Sequence, residues 1–488
     1  MRFGRVVFVF SGIAWVSLAF GQVKYALLDL GTLGGTKSYT TRWNQVGQIA
    51  GYSYLTSGHV HGFLYSGGAL SDLGTLGGVE STADCVNAIG QVVGQSTNAS
   101  GNERAFVYSG GVMTDLGTLG GATAHAEGIN DAGQIAGESD TATSGVYDAF
   151  LYSDGVMHDL GRLSWATWSD AGCINNSGQM AGFSGNTSYW HAVTFTSNSI
   201  ADLGTLGGTK STAYFIDDAG DVVGWSQTST DSVGHPFLYS GGTMTDLAAL
   251  PGGNDGYATG INASGQIVGA WINALDTDID GFLVTGGTMY NLNSLLDSSG
   301  SGWTVRSGTA IDDAGRIAGV AYNTSTGATH AVLLTPDAGA SGTVTLQGYS
   351  GDVTQVPVTL EVRKAGTTTV LQRTAVYLQS NGTFTLTSSL VGTYDVAAKS
   401  SHWLRKTLKS VAFSGSGYVS GLSLSLINGD VNGDNTINLA DLVAMAAAWR
   451  TTPGSAKWNA NADLNGDGTV NLSDWMIAAK NWRKSGDP

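Results

Sequence analysis

The sequence predicts a mainly β protein: a seven-bladed β-propeller of repeats about 43 residues long, then a small β-sandwich, then a small helical module. Three observations lead there. A heptapeptide, Asp29-Leu-Gly-Thr-Leu-Gly-Gly35, returns intact at Asp72, Asp115 and Asp202 and altered at Asp159, Asp246 and Asn291, at spacings of 43, 43, 44, 43, 44 and 45 residues. Self-similarity at such a period marks an array of one supersecondary unit. Beyond residue 340 the period stops and short alternating runs take over. Two acidic twelve-residue loops then follow, beginning at Asp430 and Asp463, each leading into an apolar helix.

The elements follow in chain order. Arg2 and Arg5 precede an apolar run from Val6 to Phe20, and Ala19-Phe-Gly21 offers a cleavage site, so residues 1–21 are expected to be a signal peptide. That run falls short of the roughly 20 residues a spanning helix needs. A secreted or extracellular protein is therefore expected, free or attached to a cell surface, with no membrane span after cleavage.

Residues 22–340 hold the array. In the third copy the strand-like runs are His125–Asn130, Gly133–Gly137, Asp148–Ser153 and Val156–Leu160. Between the first two runs every copy carries an Asx-x-x-Gly turn: Asn44/Gly47, Asn87/Gly90, Asn130/Gly133, Asn175/Gly178, Asp217/Gly220, Asn262/Gly265 and Asp312/Gly315. An Asx side chain closes the hairpin and glycine supplies the positive φ, so turn chemistry accounts for these residues without a metal or catalytic role. Ser-Gly-Gly turns join the third run to the fourth, and the heptapeptide crosses to the next copy. A fourth-strand run, Tyr25 to Leu30, precedes the first copy, while the last ends on a third-strand run, His330 to Thr335. Closure by strand exchange is therefore expected; an open β-solenoid, the alternative, would leave an exposed apolar edge.

Charged residues are only 12% of the chain, with 72 Gly and 6 Pro, which is turn-rich β composition. Residues 22–340 carry 28 Asp and Glu against 8 Lys and Arg, whereas residues 341–488 carry 10 against 12. An acidic array argues against nucleic acid and anionic lipid as partners. Cys85 and Cys173 occupy the same slot two copies apart and are expected to be free thiols.

The third-strand motifs His61-Gly-Phe63, Arg104-Ala-Phe106, Asp148-Ala-Phe150, His191-Ala-Val193 and His330-Ala-Val332, each in register with the heptapeptide, resemble the HAF-type extracellular repeat of bacterial surface proteins. That resemblance implies export and a repeat architecture and brings no catalytic residues. Residues 341–427 read as a sandwich spacer, and its Gly-x-Phe and Gly-x-Tyr pair resembles the transthyretin-like carboxypeptidase regulatory module.

Residues 428–488 carry the strongest chemical motif. Both loops match the EF-hand pattern of oxygen donors. The candidate calcium ligands are Asp430, Asn432, Asp434, Thr436, Asn438 and Asp441 in the first loop, and Asp463, Asn465, Asp467, Thr469, Asn471 and Asp474 in the second, for two Ca²⁺ ions. Position 6 is Gly468 in one loop and Asn435 in the other. Two loop-helix units 33 residues apart resemble a type I dockerin. The resemblance implies a cohesin-type partner, bound through loop positions 10 and 11 (Leu439-Ala440 and Leu472-Ser473) and the helix that follows. These pairs depart from the Ser-Thr-like pair of cellulosomal members.

The function expected is therefore an exported, calcium-binding, non-catalytic modular protein that displays the propeller to a polysaccharide or protein ligand. The rival is a secreted carbohydrate-active enzyme, a glycan lyase or hydrolase, with Asp84, Glu127, Asp170 and Asp255 near its channel. The regular turns favour the non-catalytic reading, because a catalytic array normally carries irregular loops that present paired carboxylates.

Overall fold

The computed structural model describes residues 23–229, 233–247, 253–273, 279–388, 390, 392–413 and 417–488. The expected signal peptide lies outside the described residues. The chain is mainly β, in many small sheets. No described helix is long and apolar enough to cross a membrane.

The array forms seven four-stranded antiparallel units. The first comprises Gly34–Trp43, Ile49–Leu55, Val60–Ser66 and Ala69–Asp72, and the next five repeat that order. The seventh comprises Trp303–Ile311, Ile317–Asn323 and Thr329–Pro336, and its fourth strand is Tyr25–Asp29 from the N-terminal end. That strand pairs antiparallel with the third, with Leu27 opposite Leu334. The expected strand exchange is thus present. First strands begin at the closing glycines of the heptapeptide, so those glycines already belong to the next sheet. Between the sixth and seventh units the altered heptapeptide is replaced by a helical turn, Leu292–Leu295.

The apolar cores lie between units. Val93, Ala105 and Leu116 of the second unit pack on Ala126, Ile135 and Phe150 of the third. Leu30, Ile49 and Phe63 pack on Ala310, Ala318 and Ala331 of the seventh unit, so the last unit buries its face against the first. No unit covers its own apolar face, which is why the sequence must repeat. Phe63, Phe106, Phe150, Phe237 and Phe282 are fully buried at matching third-strand positions. The second-strand glycine makes room for them: a Cβ on Gly51 would lie 2.5 Å from the Phe63 ring and 2.2 Å from the Tyr39 carbonyl.

The Asx turns do more than close hairpins. Asn44 accepts the Gln48 N–H at 2.9 Å, and Gly47 sits at φ +90°. The Asn44 Nδ2 then donates to the Asn87 carbonyl of the next unit at 2.7 Å. Asn87, Asn130, Asn175 and Asn262 make the same donation to the carbonyls of Asn130, Asn175, Asp217 and Asp312.

The third-strand histidine and the heptapeptide aspartate are partners. His61 meets Asp72 at 2.8 Å, His191 meets Asp202 at 2.9 Å, His235 meets Asp246 at 2.8 Å, and His330 meets Asp29 across the strand exchange at 2.9 Å. Arg104 takes the same role toward Asp115. Cys85 and Cys173 are free.

Residues 338–426 form two packed sheets. One joins Thr383–Thr387, Ala338–Leu346 and Gly417–Leu426; the other joins Val370–Tyr377, Pro357–Lys364, Gly392–Ser400 and Trp403–Phe413. Val358, Leu360, Val396, Trp403 and Leu424 fill the space between them.

Replacing Asn130 by Asp removes the donor and leaves the buried Asn175 carbonyl without that partner. The expected loss is about 1–3 kcal/mol, read as a lower denaturant midpoint for the array transition.

Candidate calcium loops, inner cavity and docking face

Each C-terminal loop ends at a helix start that its own residues build. Asn438 and Asn471 cap the helices Leu439–Ala447 and Leu472–Lys480, and Asp441 and Asp474 complete capping boxes. Asp441 accepts the N–H groups of Asn438 at 2.8 Å and Asn432 at 3.1 Å. Asp474 accepts those of Asn471 and Leu464, both at 2.8 Å. Positions 9 and 12 therefore fix helix geometry whether or not they also touch a cation.

Position 1 differs between the loops. Asp463 accepts only backbone N–H groups, from Gly466, Asp467 and Gly468. Asp430 is fully buried; its Oδ2 accepts from Asn435 N at 2.9 Å and Lys399 Nζ at 2.8 Å, while its Oδ1 has no partner. A buried carboxylate oxygen left bare inside a loop of oxygen donors suits a hard cation. Among the described residues no group of three or more His, Cys, Asp and Glu is arranged to hold a metal. Half of the expected donors are of other types, namely two Asn side chains and one Thr carbonyl in each loop. Asn435 and Gly468 adopt φ +70° and +84°, so both loops make the turn that position 6 requires.

The array has a second concentration of charge. The residues three before each Asx turn are Thr41, Asp84, Glu127, Gly172, Tyr214, Thr259 and Thr309, and all but Tyr214 line one cavity of about 330 Å³. Arg42 reaches across it to donate to the carbonyls of Thr259 at 3.0 Å and of Tyr214. His125 lies 3.2 Å from Glu138 and 3.3 Å from Glu103. Burial pushes Asp84 up to about 6. Burial, then the charges of Glu138 and Asp84, push Glu127 up to about 8. Asp170 is also driven upward, by burial and then by Glu127. The Glu138 hydrogen bond raises His125 to about 9.

Three of the four sequence-marked carboxylates are thus brought together and Asp255 is not. Asp255 accepts from Trp225 Nε1 at 3.0 Å and from Gly256 N at 2.8 Å. Arg42, His125 and Glu138 complete the cluster. Their signal in the sequence is their spacing from the Asx turn rather than any motif of their own.

On the two C-terminal helices a row of apolar side chains faces solvent: Leu439 and Leu472, Val443 and Met476 are each more than 60% exposed. Trp449 and Trp475 meet edge to face at 6.2 Å beside a depression they share with Ala446 and Leu472.

Residues 428–481 match the family described as the dockerin type I domain. This segment is a type I dockerin domain. Dockerins of this type bind calcium, in keeping with the two loops. No curated protein matches the chain. Among solved structures, a type II cohesin–X-dockerin complex from Acetivibrio cellulolyticus is 26% identical, covering 31% of this chain and 97% of that one at a TM-score of 0.25. A putative TolB from Agrobacterium tumefaciens is 10% identical over 64% of this chain and 99% of that one, at a TM-score of 0.36. A puromycin-hydrolyzing peptidase from Mycobacterium tuberculosis is 12% identical over 64% and 56%, at 0.39. All three scores are too low to carry fold or function across.

The dockerin is seamed to the sandwich through its first loop. Asn435 Oδ1 accepts from Arg405 N at 2.7 Å and its Nδ2 donates to the Asp487 carbonyl at 3.0 Å. Lys399 ties Asp430 to the sandwich, and Asp430 N donates to the His402 carbonyl at 2.9 Å.

Two outcomes are expected. Asn435→Gly keeps the turn but removes the two side-chain bonds of Asn435, so the sandwich–dockerin transition loses about 1–2 kcal/mol while the calcium-induced helical signal persists in circular dichroism. Glu127, raised in the folded state, contributes stability that is complete below its unfolded value near 4.3 and lost as pH rises through about 8. Glu127→Gln should therefore gain melting temperature relative to the parent on going from pH 5 to pH 8; a pH-independent difference in calorimetry contradicts the assignment.

Proposed function

We propose that the chain is an exported, calcium-binding modular protein that docks through its dockerin to a cohesin-type partner and displays its repeat array to a ligand. The observation that carries the reading is the dockerin domain with its exposed apolar helix faces. Leu439, Val443, Leu472 and Met476 offer the buried centre that a protein interface needs. Dockerin proteins are typically extracellular or attached to a cell surface, which fits the N-terminal signal pattern. In this reading twelve ligands, six from the loop Asp430 to Asp441 and six from the loop Asp463 to Asp474, hold two Ca²⁺ ions. The metal supplies a charge around which the loop oxygens converge, Asp430 Oδ1 being the donor held ready for it.

The array is best read as a closed seven-bladed propeller of the HAF-repeat type. The exchanged strand Tyr25–Asp29, the packing of the seventh unit on the first, and the cavity lined by equivalent residues of six units all support closure. The near-identical hairpins favour display over catalysis. A secreted glycan lyase or hydrolase is the second reading, and the carboxylate cluster of Asp84, Glu127 and Asp170 is the observation in its favour.

The full chain is expected to capture a cohesin domain in Ca²⁺ and release it in EDTA, with Leu439→Asp/Leu472→Asp abolishing capture. Capture that ignores calcium and both substitutions would overturn the docking reading. Turnover of any substrate in a polysaccharide panel would select the second.

A further inference from the structure

The inner cavity holds an arrangement that packing alone does not explain. Six of the seven positions that precede the Asx turn by three residues carry a side chain, and only the fourth unit has glycine. Gly172 is not in the positive-φ region, so its backbone does not demand glycine. Neither does close packing: a Cβ there would meet no backbone atom, only Glu127 Oε2 at 3.0 Å and Asp170 Oδ2 at 3.9 Å. Contrast Gly182, where a Cβ would strike the Asp170 carbonyl at 2.0 Å. What Gly172 preserves is open space between two carboxylates.

One of those carboxylates has an oxygen without a partner. Asp170 is 7% exposed, its Oδ1 is buried without a hydrogen-bond partner, and its Oδ2 faces the gap beside Gly172 that opens into the cavity. Gln95 Oε1, on the cavity wall, is likewise buried and unpartnered. Buried acceptors in this state normally have a partner, and two of them, one on the cavity wall and one beside its Gly172 gap, point to a ligand that donates hydrogen bonds.

The surroundings define its chemistry. Asp84 and Glu127 line the cavity and Asp170 lies beside its Gly172 wall, with Glu138 and Glu103 around His125. Arg42 and His125 are the opposing cations, Arg42 being committed to the carbonyls of Tyr214 and Thr259. That balance rejects an anion. The acidic side chains come from different strands at unequal register, Asp84 and Glu127 three residues before their turns and Asp170 five before. A primary ammonium group has three donors on one centre and tolerates such irregular spacing. The remaining wall is hydroxyl and amide, from Thr40, Thr41, Thr259, Thr309 and Gln95, which suits a hydroxylated frame. A volume of about 330 Å³ is in the range of small-molecule sites.

We propose that this cavity binds a small ligand carrying a primary ammonium group on a hydroxylated frame, the chemistry of an amino sugar. Glu127 and Asp170 take the ammonium; Gln95 Oε1 and the threonine hydroxyls, which already donate to main-chain carbonyls, accept from the hydroxyls of the frame. The assignment rests on the reading of the array as a ligand-binding module, and it names the ligand class. The raised carboxyls must ionise as the ammonium enters, so binding releases protons; Asp84, Glu103, Glu138, His125, Tyr147 and Arg42 are the charged and titratable groups that surround the pair.

The test is titration calorimetry of the full chain with D-glucosamine, N-acetylglucosamine and glucose, each in two buffers of different ionisation enthalpy. Glucosamine should bind at least about tenfold more tightly than the two neutral sugars, with proton release. Glu127→Gln and Asp170→Asn should each weaken it by about tenfold or more. Gly172→Ala, which fills the gap without altering charge, should do the same while circular dichroism and cohesin capture stay unchanged. Equal binding of the acetylated sugar, glucosamine binding unaffected by these substitutions, or no binding heat would overturn the proposal. If a polysaccharide still captures the chain and Glu127→Gln leaves that capture intact, the array binds elsewhere and only the cavity assignment falls. If neither glucosamine nor any polysaccharide binds, the ligand-binding reading falls with it.

Discussion

The array depends on one hydrogen bond made again and again: in five of the seven hairpins the side-chain amide of an Asn donates to the main-chain carbonyl of the same turn in the next unit. A lone four-stranded unit leaves one apolar face open, and apolar contact is not directional. It would hold neighbours together without fixing their angle. An amide seated between two turns does fix it, because its oxygen already closes its own hairpin and its nitrogen has one direction left. A second row runs alongside, with Ala88 N on Asp131 Oδ1, Asp131 N on Asn176 Oδ1 and Asn176 N on Asp218 Oδ1. Where the row lacks an amide, the chemistry changes. Asp312 has no N–H to offer the first unit; Arg316, paired to Asp312 at 2.7 Å, lies over the Trp43 ring at 5.1 Å instead.

Geometry fixed at the turns frees the strand positions before them. The residue three before the turn is Thr, Asp, Glu, Gly, Tyr, Thr and Thr in successive units, a spread seen nowhere in the turn itself. That variable set is the one that meets at the inner cavity. Each carboxylate there belongs to a different sheet, so no single strand carries the full repulsion, yet burial raises all three. The scaffold tolerates this because its inter-unit cores, such as Ala136, Met180 and Val193 with Phe195, lie elsewhere.

Much of this was legible in the sequence because the period forces structural residues into register. The Asx-x-x-Gly turns, the strand order, the exchanged strand and the two C-terminal loops all follow from spacing. The pairing of His191 with Asp202 did not, although both motifs stand out, since it is a contact across a hairpin eleven residues apart. The inner cluster was legible only in part. Asp84 and Glu127 share a register; Asp170 lies five residues before its turn and Asp255 seven before, and charge alone does not say that the first faces the cavity while the second bonds Trp225. Gly172 was invisible, because an absent side chain matters only once its neighbours are placed.

The departure at position 6 of the first calcium loop has a physical cause of the same kind. A left-handed turn residue is best as glycine, and Asn is tolerated there at some conformational cost. In the second loop nothing but the turn is required, and Gly468 supplies it. In the first, the same residue must also reach the sandwich, and a glycine has nothing to reach with. Asn435 Oδ1 accepts from Arg405 N and its Nδ2 donates to the Asp487 carbonyl, while its own N–H donates to Asp430. Lys399 grips the same aspartate from the sandwich side. The residues that shape the first loop therefore also bond the neighbouring domain. Distortion of that loop is opposed by sandwich contacts, whereas the second loop is tied to the sandwich chiefly through the Asn465 carbonyl, to which Ser350 donates. Two loops of near-identical sequence are thus mechanically unequal, and the inequality comes from the Asn435 amide together with the sandwich contacts of Asp430.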